Sequence, residues 1–138
     1  MINSRSAKSF VTIMIVIAIC ALFLRITIER LIKYNISQNG SIALSTVKLI
    51  STALENYAKD NHGVYPASLT VLTKTKPAYL DRDYTSSPFK GYNYSCSMLE
   101  SSGYSCNATP ARCGISGITV YIVTTGSSLI TQECEKRE

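Results

Sequence analysis

The sequence predicts an α+β protein: one long N-terminal helix, membrane-embedded over its first half, whose second half packs on a roughly four-stranded antiparallel sheet. Three observations predict it. The run from Phe10 to Leu24 carries no charge and is apolar on every face of a helix. Farther on, Ala43, Val47, Ile50, Leu54 and Tyr57 recur at helical spacing, which draws one apolar stripe. From Tyr92 onward, short runs alternate apolar and polar residues between turn-forming clusters, the period of half-buried strands.

The chain has 138 residues, of which 46% are hydrophobic, and this excludes a disordered polypeptide. Only 17% are charged, below the usual quarter or so, because the N-terminal run carries none. With residues 1–33 given to a membrane, about a hundred remain, enough for one small core. Arg5 and Lys8 precede the apolar run, and Arg25, Arg30 and Lys33 follow it; together they account for most of the net charge of +5. No basic stripe is left over for nucleic acid, and no nucleic-acid partner is expected.

The elements follow in order. Residues 1–9 read as a basic leader and 10–28 as a transmembrane helix. A cleaved secretory signal needs a small-x-small site after its apolar stretch, but Leu22-Phe23-Leu24 is followed by Arg25, and Ile19 before Cys20 argues against a lipoprotein signal. The segment is therefore expected to stay attached. Phe10–Leu24 alone reaches about 22 Å as a helix. Extending it to Ile28, with Arg25 snorkelling toward the headgroups, gives about 28 Å, close to the thickness of a bilayer core. A buried core helix is the weaker reading, since a chain of this size cannot enclose a helix apolar all round. Charge does not set the orientation, because cations flank both ends.

Residues 29–62 read as an amphipathic extension of the helix. Asn39-Gly40 is expected to interrupt it, glycine costing about 1 kcal/mol relative to alanine, and Ser41 offers a fresh N-cap. The stripe from Ala43 to Tyr57 faces a core, while Lys48, Ser51, Glu55 and Lys59 take the other side, with Glu55 and Lys59 as an i,i+4 pair. Asn61-His62-Gly63 is a stop, Gly63 suiting the left-handed position after the helix. Residues 63–138 form a loop and a sheet domain. Pro66 fits the first turn of a short helix running to about Leu72, with Leu69 and Leu72 on one side. Pro77, Pro88 and Gly91 punctuate an aperiodic stretch anchored by Tyr79, Leu80, Tyr84 and Phe89.

Strands are expected over Tyr92–Met98, Tyr104–Ala108, Ile118–Val123 and Leu129–Thr131, with a turn at Glu100–Gly103 and another at Thr125–Ser127. Four of the five cysteines, Cys96, Cys106, Cys113 and Cys134, fall in this last third. Clustered cysteines behind an export-like segment point to disulfides and an oxidising compartment, which places the C-terminal part outside the cytoplasm. A zinc site lacks both a CxxC pair and a nearby histidine. With the first hairpin turning near Ser101, Cys96 and Cys106 lie opposite one another, a position suited to a bridge, and the remaining pair is Cys113 with Cys134.

The order of these pieces resembles the type IV pilin-like superfamily, above all the pseudopilins of type II secretion. Ala53, Tyr57, Asp60, Gly63, Tyr65, Pro66, Leu69 and Leu72 match its "A..Y..d.g.YP..L..L" pattern, and Pro88, Gly91, Tyr92 and Tyr94 match the stretch that leads into the sheet. The resemblance implies a structural subunit of a type IV pilus or secretion pseudopilus in the bacterial inner membrane. Its sheet domain would be periplasmic or extracellular, and its partners would be other pilin or pseudopilin subunits and membrane lipid. It also implies processing between Ser9 and Phe10. The family's processing motif is altered here: Ser9 stands where a glycine is usual, and Met14 where a glutamate is. That favours a minor subunit over a major one, and it keeps open a second reading, a monomeric membrane-anchored binding module outside the cytoplasm.

Catalytic chemistry is hard to find. His62, the one histidine, sits beside a helix stop and far from every cysteine. There is no Gly-x-Ser-x-Gly and no phosphate-cradling loop. Asp81 and Asp83 form the one close carboxylate pair before the sheet, and are weak candidates for calcium beside Arg82 and Lys90; a solvated loop is the default. The tyrosines at 57, 65, 92, 94 and 121 are expected in the core, and Cys20 reads as a small apolar residue in the lipid-facing run. No enzyme activity, cofactor or resident metal is expected.

Overall fold

A computed structural model describes residues 4–98 and 102–135. The elements are α1 (Ser4–Asp60), α2 (Leu69–Lys74), β1 (Tyr92–Met98), β2 (Tyr104–Pro110), β3 (Thr119–Thr124) and β4 (Ser128–Glu133). The arrangement is α+β, as the residue patterns predict. The chain divides into two compact units, Met1–Tyr34 and Asn35–Glu138.

The second unit is a helix laid on a sheet. Its four strands form an antiparallel meander in the order β1-β2-β3-β4. Register follows the pleat: Tyr92 lies opposite Pro110, Cys96 opposite Cys106, Ala108 opposite Tyr121, and Val123 opposite Leu129. Side chains two apart share a face, so Tyr92, Tyr94, Tyr104, Cys106, Ala108 and Val123 look inward and are buried. Against them stands the helix stripe, with Ala43, Val47, Ile50 and Leu54 all at 0% exposure. Leu69 and Leu72 of α2 and Leu80 and Tyr84 of the following loop close the end of this core. Edge-to-face ring contacts join Tyr65 to Tyr104 and Tyr84 to Phe89, at centroid distances of 5.3 and 5.4 Å. The opposite, outward side of β1 and β2 carries Asn93, Ser95, Asn107 and Thr109, all uncharged.

Several local expectations are corrected. Asn39-Gly40 does not interrupt α1, and Ser41 is an exposed residue inside it. Gly40 is buried where the helix meets the sheet, and a Cβ there would stand 3.3 Å from the Tyr121 hydroxyl. Beside it, the Asn39 side-chain amide donates to the Ser116 carbonyl at 2.9 Å. Close packing thus outweighs the poor helix propensity of glycine, a term of only about 1 kcal/mol. The helix ends one residue earlier in its cap than expected. His62 takes the left-handed position at φ 57°, Gly63 follows at φ 85°, and the Gly63 N–H closes the helix on the Ala58 carbonyl at 2.7 Å.

Pro66 is buried but lies ahead of the short helix, which starts at Leu69 behind Ser68 in an extended conformation. Lys90 and Gly91, at φ 49° and 78°, make a tight hairpin turn in which Phe89 and Tyr92 exchange backbone hydrogen bonds of 2.9 and 3.1 Å. The turn expected at Glu100–Gly103 lies partly outside the described residues.

Candidate functional site

The first candidate is the apolar segment of α1. Every described residue from Ser9 to Arg30 is exposed, with Phe10 at 65%, Ile17 at 58% and Phe23 at 66%. It is the one helix among the described residues that is long and apolar enough to cross a membrane, and none of its most apolar window is buried. A helix greasy on all sides needs apolar surroundings, either lipid or other helices. Its polar groups are quietened locally: the Thr27 hydroxyl donates to the Phe23 carbonyl at 2.8 Å. Arg25 and Glu29 stand 3.6 Å apart, one turn from each other, where the uncharged run ends. Ser9, Phe10, Met14 and Cys20 all lie on this segment, and Cys20 is a free thiol.

The second candidate is a polar cluster in the sheet-bearing unit that the spacing did not reveal. Ser51 and Glu55 face the sheet, not solvent. Ser51 is 2% exposed, and its hydroxyl lies 2.8 Å from both the Tyr104 hydroxyl and the Ser127 hydroxyl. The Glu55 carboxylate accepts the Tyr104 hydroxyl at 2.9 Å, the Tyr65 hydroxyl at 3.0 Å and the Gly126 backbone N–H at 2.7 Å. One carboxylate therefore ties α1 to the loop before α2, to β2 and to the β3–β4 turn. Burial pushes the Glu55 pKa up, but the Gly126 N–H and the Tyr104 and Tyr65 hydroxyls outweigh it, and the carboxyl titrates below its usual 4.5. Tyr65 is pushed up to about 12, first by burial and then by its bond to Glu55. Tyr104 is raised as well, first by burial. The available signal was the i,i+4 spacing of Ser51 and Glu55, which sets both beside the Ile50–Leu54 stripe. The arrangement fastens the fold.

The remaining candidates scatter. Asp83 accepts the hydroxyls of Thr70 and Thr85 at 3.0 and 2.6 Å and the Thr85 N–H at 2.9 Å. The Thr85 hydroxyl and N–H and the Thr70 hydroxyl lower its pKa against burial. Asp81 accepts the Tyr84 hydroxyl at 3.0 Å and lies 3.6 Å from Arg82. Among the described residues no group of three His, Cys, Asp or Glu side chains is placed to hold a metal. His62 is exposed at the helix cap. Disulfides join Cys96 to Cys106, at a Cα separation of 4.0 Å, and Cys113 to Cys134, at 5.9 Å. A groove of about 820 Å³ opens where Asn93, Thr109 and Val120 meet Arg112, Glu133 and Glu135.

The class these features define is an α+β domain on a helix able to cross a membrane. Compared with protein-family models, curated proteins and solved structures, the chain finds no match in any of the three.

Proposed function

We propose that the chain is a structural subunit, minor or pseudopilin-like, of a type IV pilus or a type II secretion pseudopilus. It is held in the bacterial inner membrane by α1, and its disulfide-stapled domain lies outside the cytoplasm. The observation that carries this reading is a single helix, α1, whose first part is apolar on every face and wholly exposed and whose last part is the spine of a four-stranded sheet. A monomeric soluble protein gains nothing from so large an exposed apolar surface.

The subunit works by packing and not by catalysis. In lipid, helices associate through close contact of small and branched side chains, here Val16, Ala18 and Ala21. Tyr34 and Leu31, exposed at 63% and 56%, extend the contact surface beyond the lipid. With Met14 in place of a carboxylate, no buried charge has to be matched in the membrane, which suits a subunit that starts or caps an assembly.

A second reading, a monomeric anchored binding module, draws support from the altered Ser9 and Met14 and from the groove beside Arg112 and Glu133. Mass spectrometry of the N-terminus of the native protein separates the two. A chain that begins at Phe10, especially with a methylated amine, is the filament-subunit result. A chain that still begins at Met1 overturns pilin-type processing and leaves the anchored module.

A further inference from the structure

Four of the seven asparagines open an Asn-x-Ser/Thr triplet: Asn35-Ile36-Ser37, Asn39-Gly40-Ser41, Asn93-Tyr94-Ser95 and Asn107-Ala108-Thr109. This triplet is the acceptor pattern for N-linked glycan on proteins exposed outside the cytoplasm. The transfer uses the asparagine amide together with the hydroxyl two residues on, so the two groups must stand side by side.

The fold sorts the four. On a helix, residues two apart point about 200° away from each other, whereas on a strand they share a face. Asn35 and Asn39 open their triplets within α1, and the other two lie on β1 and β2. Asn39 is doubly unsuitable, because its amide is spent on the Ser116 carbonyl at 2.9 Å and is wedged against Gly91. Asn107 is half-buried in an inner strand, between Ser95 of β1 and Ile122 of β3. Asn93 is different. It lies on the edge strand β1, it and Ser95 are exposed on the same face, and among the described residues nothing hydrogen-bonds to its side-chain amide. Opposite it stand Thr109 and, diagonally, Asn107, and the open groove that it lines with Thr109 also holds Arg112, Glu133 and Glu135.

We infer that Asn93 is an acceptor site for an N-linked oligosaccharide. The inference goes beyond the filament reading and rests only on that part of it which puts the sheet domain outside the cytoplasm. In the reaction, the Asn93 Nδ2 attacks the anomeric carbon of an oligosaccharide carried on a polyprenyl diphosphate. A C–N bond forms and the anomeric C–O bond breaks. The polyprenyl diphosphate leaves with the electron pair, and the amide gives up one proton. Nothing is oxidised or reduced.

The test is mass spectrometry, intact and peptide by peptide, of the chain purified from the membranes of its native host, alongside Asn93→Gln and Ser95→Ala made in the same host. The expected result is one oligosaccharide of added mass on the Asn93 peptide, absent from both variants. Ser95→Ala leaves Asn93 in place and so guards against a folding effect of the first change. An unmodified Asn93 peptide overturns the inference, as does carbohydrate confined to Asn35, Asn39 or Asn107. The same spectra read the N-terminus separately. A chain starting at Phe10 with bare Asn93 sinks the glycan and keeps the filament, whereas a chain starting at Met1 with glycosylated Asn93 does the reverse.

Discussion

The carboxylate of Glu55 accepts the hydroxyl of Tyr104 at 2.9 Å, joining the helix to the second strand across 49 positions of sequence. Around this bond gather the Tyr65 hydroxyl and the Gly126 N–H, both also donating to Glu55. Hydrogen bonds to an ionised group contribute about 1.5–3 kcal/mol each when buried, and Glu55 is only half-buried, so the lower end applies. Glu55→Ala is expected to destabilise the protein by about 2 kcal/mol in urea denaturation followed by circular dichroism. The same cluster sets an acid dependence. Because folding lowers the Glu55 pKa, its contribution is fully present above the usual 4.5 and is lost as pH falls through the folded value. Glu55→Gln should flatten the decline in stability below that pH, and an unchanged acid profile would remove Glu55 from the account.

Two buried tyrosines should respond oppositely to loss of their hydroxyls. The Tyr104 hydroxyl is engaged by both Ser51 and Glu55. The Tyr94 hydroxyl is buried with no hydrogen-bond partner among the described residues. Burial raises its pKa and Thr46 pulls the other way, yet Thr46 gives its proton to the Ile42 carbonyl at 2.8 Å. Tyr104→Phe should cost about 1–3 kcal/mol, and Tyr94→Phe should be neutral or stabilising, by the asymmetry between removing a made bond and removing an unmade one. Equal losses from the two in thermal melts would contradict this.

Gly117 is a steric requirement. A Cβ there would overlap the Tyr92 hydroxyl and stand 2.6 Å from its Cζ. Tyr92 has no room to yield, being at 0% exposure and donating to the Thr119 carbonyl at 3.0 Å. Gly117→Ala is expected to lower stability by about 1–3 kcal/mol, read as a lower melting temperature. Gly126→Ala removes a glycine at φ 78° but meets no atom within 4 Å, so it reports backbone strain alone and serves as the comparison.

The two disulfides close loops of different length, with sequence separations of 10 and 21. In the chain-entropy description each contributes about 3 kcal/mol, slightly more for the longer loop. Paired Cys113→Ser and Cys134→Ser changes should therefore lower the urea midpoint at least as far as paired Cys96→Ser and Cys106→Ser changes. The reverse order would mean that the loop closed by Cys113 and Cys134 stays fixed without its bridge.

Much of this was legible in the residues, and the exceptions share a cause. The stripe Ala43-Val47-Ile50-Leu54 and the alternation Tyr92-Tyr94-Cys96 are strong periodic signals, and burial follows them. Gly40, Ser51 and Glu55 were misread because their local chemistry favours a break or a wet surface. Only the sheet, distant in sequence, supplies Tyr121, Tyr104 and Ser127 to reverse that preference. His62 took the left-handed cap ahead of Gly63 because the chain turns one residue earlier than the glycine suggests. The polar cluster had no motif to announce it, since its members come from four separate segments.

We propose that the exposed apolar stretch of α1 lies in a bilayer. Alkaline carbonate extraction of native membranes tests it directly, because carbonate strips proteins that merely adhere. The protein should stay in the membrane pellet. The double change Val16→Arg and Ile17→Arg, each arginine costing about 2.5–3.5 kcal/mol at the centre of a span, should shift it to the supernatant. Wild-type protein released wholly into the carbonate supernatant would contradict the claim.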